Sequence, residues 1–276
     1  MTPNKQFKNQ CNIQETIKAT CSILETCKKH NLQVWICYGA LLGLIREKRL
    51  LPWNNDVELM ILESKNYHEK IIALAQELSN QKYHCIYHKN LSALSIKTVK
   101  EGVNININFA KNYKGYIIRP HEPNGGRDKD INIFSKFFWW IALLINSRSF
   151  VSLKNFHKIS LKYKSNYLIS SLFYLLPISL KEFLSKTFHL ISNKIGKRSI
   201  STALPVDLIL PLKVTEFYGT TQLIPGKPED LLCYLYGSDW KTPREKWSFY
   251  DDRNKNISKM KYLNINLFGV DLDNFD

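Results

Sequence analysis

Asp56 and Glu58 stand two apart in the apolar run LLPWNNDVELMIL, residues 50–62. In a β-strand alternate side chains share a face, so the two carboxylates would stand side by side while Val57, Leu59 and Ile61 face the other way. Either the pair holds a cation or the strand simply has one exposed face. Two adjacent carboxylates suit Mg²⁺, which takes oxygen ligands in octahedral geometry and keeps positions open for diphosphate oxygens. The D-x-E spacing is common on exposed strands, so its meaning depends on its surroundings.

Several elements must position that pair. Residues 12–30 carry Ile13, Ile17, Leu24 and Cys27 at helical spacing, VWICYG then reads as a short buried strand ending at Gly39, and ALLGLIREK resumes a helix at Ala40. Pro52 interrupts, the Asp56 strand follows, and Ser64 is placed to cap a helix whose apolar stripe is Tyr67, Ile71, Leu74, Ala75 and Leu78. YHCIYH, LSIKTV and VNININF read as three strands. RPHEPNGGRDKD, residues 119–130, reads as a loop, and PEDLLCYLY as a helix that starts after Pro228 and stops at Gly237. From Phe134 to about Lys197 the chain reads as helical, aromatic and basic. Its apolar runs are shorter than the roughly 18 to 20 residues of a membrane span. Beside lysines such as Lys136, Lys154, Lys158, Lys162, Lys181 and Lys186 they read either as core helices with solvated basic faces or as a surface lying on an anionic membrane.

The 276 residues are 44% hydrophobic, ample for a core, and Lys plus Arg exceed Asp plus Glu by 39 − 24 = 15. That balance favours polyanions: nucleic acid, anionic headgroups or phosphorylated substrates. The six cysteines form no C-x-x-C pair and suit reduced thiols. The opening MTPNKQFKNQCNIQETIK lacks the apolar core of a signal peptide, which predicts a protein inside the cell.

YGALLGLIREKRLLPWNNDVELMI resembles the signature of the LicD and fukutin family of the nucleotidyltransferase superfold. In that family a strand ends in Y/W-G-T-L-L-G, an Arg follows, and P-W-D-D-D-I-D completes the pattern. Tyr38, Gly39, Leu41, Leu42, Gly43, Arg46, Pro52, Trp53 and Asp56 carry the likeness. A second block, FYGTTQLIPGKPEDLLCYLYGSDWKTP, is similar to the family's closing pattern through Phe217, Gly219, Pro225, Tyr236, Gly237, Asp239, Trp240 and Pro243.

The resemblance implies an α/β (α+β) fold: a mixed sheet flanked by helices with a helical insertion. The nucleotidyltransferase-like core would occupy 1–133, the insertion 134–200, and the end of the domain with a tail 201–276. It also implies Asp56 and Glu58 as catalytic metal ligands for Mg²⁺ or Mn²⁺, with Gly39, Ala40, Gly43 and Arg46 at the donor phosphates. Arg46 reads as a bidentate clamp or as a solvated helix residue. Tyr38, Trp53, Asn106 and Asp239 would support the site, Trp53 by bracing its loop rather than by stacking on a base.

The sequence departs from the family at Asn54 and Asn55, where carboxylates are usual, and at Asn104, Asn106 and Asn108, where the family places an acid on the corresponding strand. An asparagine oxygen can ligate a metal but cannot serve as a general base, and His84, His88 and His121 are either substitutes for that base or core and surface residues.

The implied activity is transfer of a phospho-substituent, phosphocholine or an alditol phosphate, from a CDP-linked donor to a hydroxyl of a cell-surface glycan, glycolipid or lipopolysaccharide. The alternatives are a non-catalytic nucleotide or glycan binder and a nucleotidyltransferase. The expected location is cytoplasmic, with the inner face of the membrane as a peripheral partner. No nucleic-acid motif is visible, so nucleic acid is not an expected partner.

Overall fold

The structure is a computed structural model that describes residues 10–52, 54, 56–88, 93–98, 104–119, 133–151, 161–195, 200–243, 262–266 and 269–270. Trp53, Asn55, Lys154, Lys158, His121 and the expected loop from residue 120 onward lie outside them.

Helix α1 (Gln10–Lys29) buries Ile23, Leu24 and Cys27, and strand β1 (Trp35–Ile36) follows. Helix α2 (Tyr38–Glu47) begins two residues earlier than its sequence pattern predicts. The cause is Cys37, whose N–H donates to the Glu58 carbonyl at 3.1 Å while its own carbonyl accepts from Leu41 N–H at 3.2 Å. That residue ends the strand pairing and opens the helix at once.

Strand β2 (Asp56–Leu62), helix α3 (Tyr67–Gln81), and strands β3 (Tyr83–His88), β4 (Ala93–Thr98) and β5 (Asn104–Tyr113) follow the sequence pattern closely. Strand β6 (Tyr116–Arg119), which the sequence pattern does not predict and which takes in Arg119 of the expected loop, pairs antiparallel with β5. The α3 cap differs: Asn66, in the left-handed region at φ 63°, precedes the helix, and Ser64 contributes only its carbonyl, to Tyr67 N–H. The whole predicted α3 stripe is buried.

The 134–200 region departs from its all-helical reading. Between helix α4 (Ile133–Ile145) and helices α5 (Leu161–Tyr174) and α6 (Ile178–Ile195) lies strand β7 (Ser147–Phe150), which pairs antiparallel with β3. Ser147 and Ser149 bond the rings of His88 and His84 across that pairing, a cross-strand contact that helical periodicity cannot reveal.

Strand β8 (Ile200–Pro205), helix α7 (Val206–Ile209), strands β9 (Lys213–Phe217) and β10 (Thr220–Ile224), helix α8 (Pro228–Tyr236) and strands β11 (Tyr262–Asn266) and β12 (Gly269–Val270) complete the elements. The sheet is mixed. β2 runs parallel to β5 and antiparallel to β1, β10 lies parallel beside β1, and β4, β3 and β7 extend the sheet beyond β5.

Register divides the sheet into two faces. Val57, Leu59 and Ile61 align with Ile105, Ile107 and Phe109, and those in turn with Ile96 and Leu94. This face belongs to the same buried cluster as Ile23 of α1 and Ile71 and Leu74 of α3, with Phe109 touching the rings of Tyr67 and Tyr87. The opposite face carries Asp56, Glu58, Asn104, Asn106, Ser95, Lys97, His84 and Ser149. Apolar packing on one side therefore fixes a polar stripe on the other.

Candidate active site

Asp56 and Glu58 stand half-buried on β2 beside the first turn of α2. The Glu58 carbonyl accepts both the Cys37 N–H and, at 3.3 Å, its thiol, which pins that turn to the strand. The amides of Gly39 and Ala40 lie ahead of the Leu41–Cys37 bond, in the first turn of α2, so the helix presents its positive end next to the carboxylate strand.

The two glycines of α2 do different jobs. A Cβ on Gly39 would lie 2.7 Å from Asn54 Nδ2, so the missing side chain admits the Asn54 amide onto the helix N-terminus. A Cβ on Gly43 would lie 2.5 Å from the Arg49 carbonyl oxygen and 3.0 Å from Leu51 N. The missing Cβ of Gly43 thus admits the chain's own 49–51 segment against α2.

Across the sheet Asn104 aligns with Asp56 and Asn106 with Glu58, placing each pair on strands about 4.8 Å apart. Asn106 Oδ1 accepts from Ser95 Oγ at 2.9 Å. Asn104 Oδ1 is buried with no hydrogen-bond partner among the described residues. An orphaned buried carbonyl oxygen beside a carboxylate is the group most in need of a ligand, since leaving it unmade costs about 1 to 3 kcal/mol. Among the described residues no three His, Cys, Asp or Glu side chains converge on one metal position. Two carboxylates and an amide oxygen nevertheless form a donor set that Mg²⁺ accepts when water and substrate phosphate complete the shell.

The second sequence block arrives at the same place because β10 pairs with β1, carrying α8 against α2. Burial pushes the Tyr236 phenol well above its ordinary value, and the negative charge of Glu58 adds to the effect, so Tyr236 stands protonated within the field of Glu58. Sequence reading placed Tyr236 in the motif but gave it no role at the site; only the β1–β10 pairing brings it to Glu58.

Arg46, the candidate phosphate clamp, is turned onto protein partners. Its guanidinium donates to Glu47 Oε1 at 2.9 Å and to the Trp240 carbonyl at 3.2 Å, and its side chain is 11% exposed. It ties α2 to the turn after α8. Asp239 lies exposed in that turn, where its carbonyl accepts from Thr242 N–H. Tyr218 makes a further tie, its hydroxyl accepting from Leu50 N–H at 2.8 Å.

His84 and His88 are anchored away from the carboxylates. Their rings pair with Ser149 and Ser147 at 2.8 and 2.7 Å, and burial, reinforced by Lys97, pushes both down to about 4. His84 aligns with Lys97, Lys97 with Asn104 and Asn104 with Asp56; three strand spacings put it about 14 Å from Asp56.

Residues 31–138 match the family model described as "LicD/FKTN/FKRP, nucleotidyltransferase domain". No curated protein matches the chain in sequence. Among solved structures the chain is similar to ANT(2")-Ia in complex with adenylyl-2"-tobramycin, at 12% identity and a TM-score of 0.28, covering 64% of this chain and 98% of that one. It is also similar to a STING-associated CdnE c-di-GMP synthase from Capnocytophaga granulosa, at 16% identity and a TM-score of 0.27, covering 66% of each. Likenesses this distant carry no argument about chemistry. Residues 31–138 thus carry a LicD-type nucleotidyltransferase domain, set in a mixed sheet with flanking helices.

Proposed function

We propose that this glycan-modifying transferase is a phosphotransferase, moving phosphocholine or an alditol phosphate from a CDP-linked donor to a hydroxyl of a cell-surface glycan, glycolipid or lipopolysaccharide, on the cytoplasmic side. The observation that carries the reading is the placement of Asp56 and Glu58 side by side against the N-terminus of α2, with Asn104 in register across the sheet.

Asp56, Glu58 and the Asn104 oxygen would hold Mg²⁺ or Mn²⁺, which when bound supplies charge neutralisation at a diphosphate. The α2 amides at Gly39 and Ala40 offer fixed donors to phosphate oxygens, which need no reorganisation as charge develops. Tyr236, protonated, donates a further hydrogen bond. The acceptor hydroxyl oxygen attacks the distal phosphorus in line, its bond to phosphorus forms as the bond to the bridging oxygen breaks, CMP leaves with that electron pair, and the hydroxyl proton passes to solvent water.

Purified protein given Mg²⁺ and a CDP-linked donor with a glycan acceptor should release CMP, and a chelator should stop it. Pyrophosphate release from a nucleoside triphosphate, with a nucleoside monophosphate on the acceptor, would instead establish nucleotidyl transfer. A second reading rests on Asn104, Asn106 and Asn108, neutral where the family has an acid: a binder without turnover. Calorimetry would then show donor binding that is indifferent to metal and no CMP with any acceptor.

A further inference from the structure

Among the described residues fourteen large apolar side chains are exposed, and twelve lie on α4, α5, α6 or the turn joining the last two. The exposure is therefore a property of this region and not of the surface at large. Phe134 and Phe137 project from α4, Leu172 from α5 and Phe183 from α6, each more than half exposed. Leu175, in the α5–α6 turn, is the most exposed of all at 81%.

The inner face of α6 is as unusual as its outer one. α6 buries Ser185, His189 and Ser192, an i, i+4, i+7 line, while Leu180, Phe183 and Leu190 line its outside. Ser135 and Ser192 each donate a hydroxyl to the other's backbone carbonyl at 2.8 Å, and Ser185 donates to the Ala142 carbonyl at 2.8 Å. Helices joined by small residues and serine hydrogen bonds, with apolar side chains outward, have the pattern adopted where the surrounding medium is lipid. No helix among the described residues is long and apolar enough to cross a membrane, which leaves the interface plane.

Charge selects the surface. Residues 133–195 contain nine Lys or Arg against one acid, Glu182, and so hold eight of the chain's fifteen net positive charges. Lys136 and Lys186 are exposed on the same helices as the outward phenylalanines. We infer that α4, α5 and α6 form a docking surface for an anionic phospholipid bilayer, with the Leu175–Ile178 turn entering the headgroup layer. The inference stands on this surface and is independent of the transfer chemistry.

The test is flotation of the full chain with vesicles of phosphatidylcholine containing phosphatidylglycerol, against phosphatidylcholine alone. The chain should float with the anionic vesicles, less at high salt. The double variant Leu175→Ser with Ile178→Ser should lose at least about tenfold in partition, the equivalent of one leucine-sized contact. Its far-UV circular dichroism should match the parent's. The readout is lipid binding, so neither loss nor retention of CMP release touches the outcome. Equal recovery with and without vesicles overturns the inference. So does lipid-free self-association that the double variant abolishes, since the face would then cover a second copy of the chain.

Discussion

On β2 the residues Val57, Leu59 and Ile61 are buried and the carboxylates of Asp56 and Glu58 take the other face. On α6 the buried line is Ser185, His189 and Ser192, and the outward line is Leu180, Phe183 and Leu190. Both patterns are amphipathic, but they are opposite in sense. The difference teaches that amphipathicity reports two surroundings, the neighbour on one side and the medium on the other, and only packing says which is which.

The largest effect separates the regions by chemistry. Asp56→Asn should lower turnover about a thousandfold, roughly 4 kcal/mol of charge stabilisation, in a steady-state assay of CMP release, while vesicle flotation stays unchanged. Turnover that survives in Asp56→Asn breaks the contrast, because the β2 face would then be merely solvated.

Stability separates them next. Leu59→Ala should cost about 3 kcal/mol in urea unfolding, as a fully buried leucine does. Phe183→Ser should stay within about 0.5 kcal/mol despite removing a larger side chain, because Phe183 is 65% exposed. A Phe183 cost comparable to Leu59 would show that the outward face of α6 is packed in solution.

The smallest shift concerns what the regions share, a buried neutral histidine. Burial holds His84 on β3 and His189 on α6 each down to about 4, against an ordinary value near 6.5. Below that ordinary value the unfolded chain binds more protons than the folded one, so stability is complete above it and is lost as pH falls towards 4. Each histidine should cost about 2 kcal/mol at pH 5. His84→Gln should flatten the decline in the urea-unfolding free energy between pH 7 and pH 5 by that amount; an unchanged slope would show that the ring is hydrated.

Much of the scaffold was legible in the residues. The α3 stripe from Tyr67 to Leu78, the strands YHCIYH and NININF, and the helix from Pro228 to Gly237 follow from periodicity and punctuation, because local burial alternates with a fixed period in each. The pairing of Asp56 with Glu58 follows from the two-residue period of a strand. The start of α2 was not legible, since it depends on Cys37 bonding to Glu58 twenty-one residues away. Nor was β7, whose serines acquire meaning only opposite His84 and His88.

The sequence by itself determined the likeness of residues 31–138 to the LicD family, the mixed fold and the two carboxylates on one face, because each resides in a motif or in a short-range pattern. Tertiary structure alone decided that Asn104 and not Asn106 keeps a carbonyl oxygen without a hydrogen-bond partner among the described residues. It also turned Arg46 onto Trp240, brought Tyr236 to Glu58, and set the apolar side of α6 outward. Each of these depends on which strand or helix lies alongside, a choice made by burial summed over the whole chain and written in no single segment.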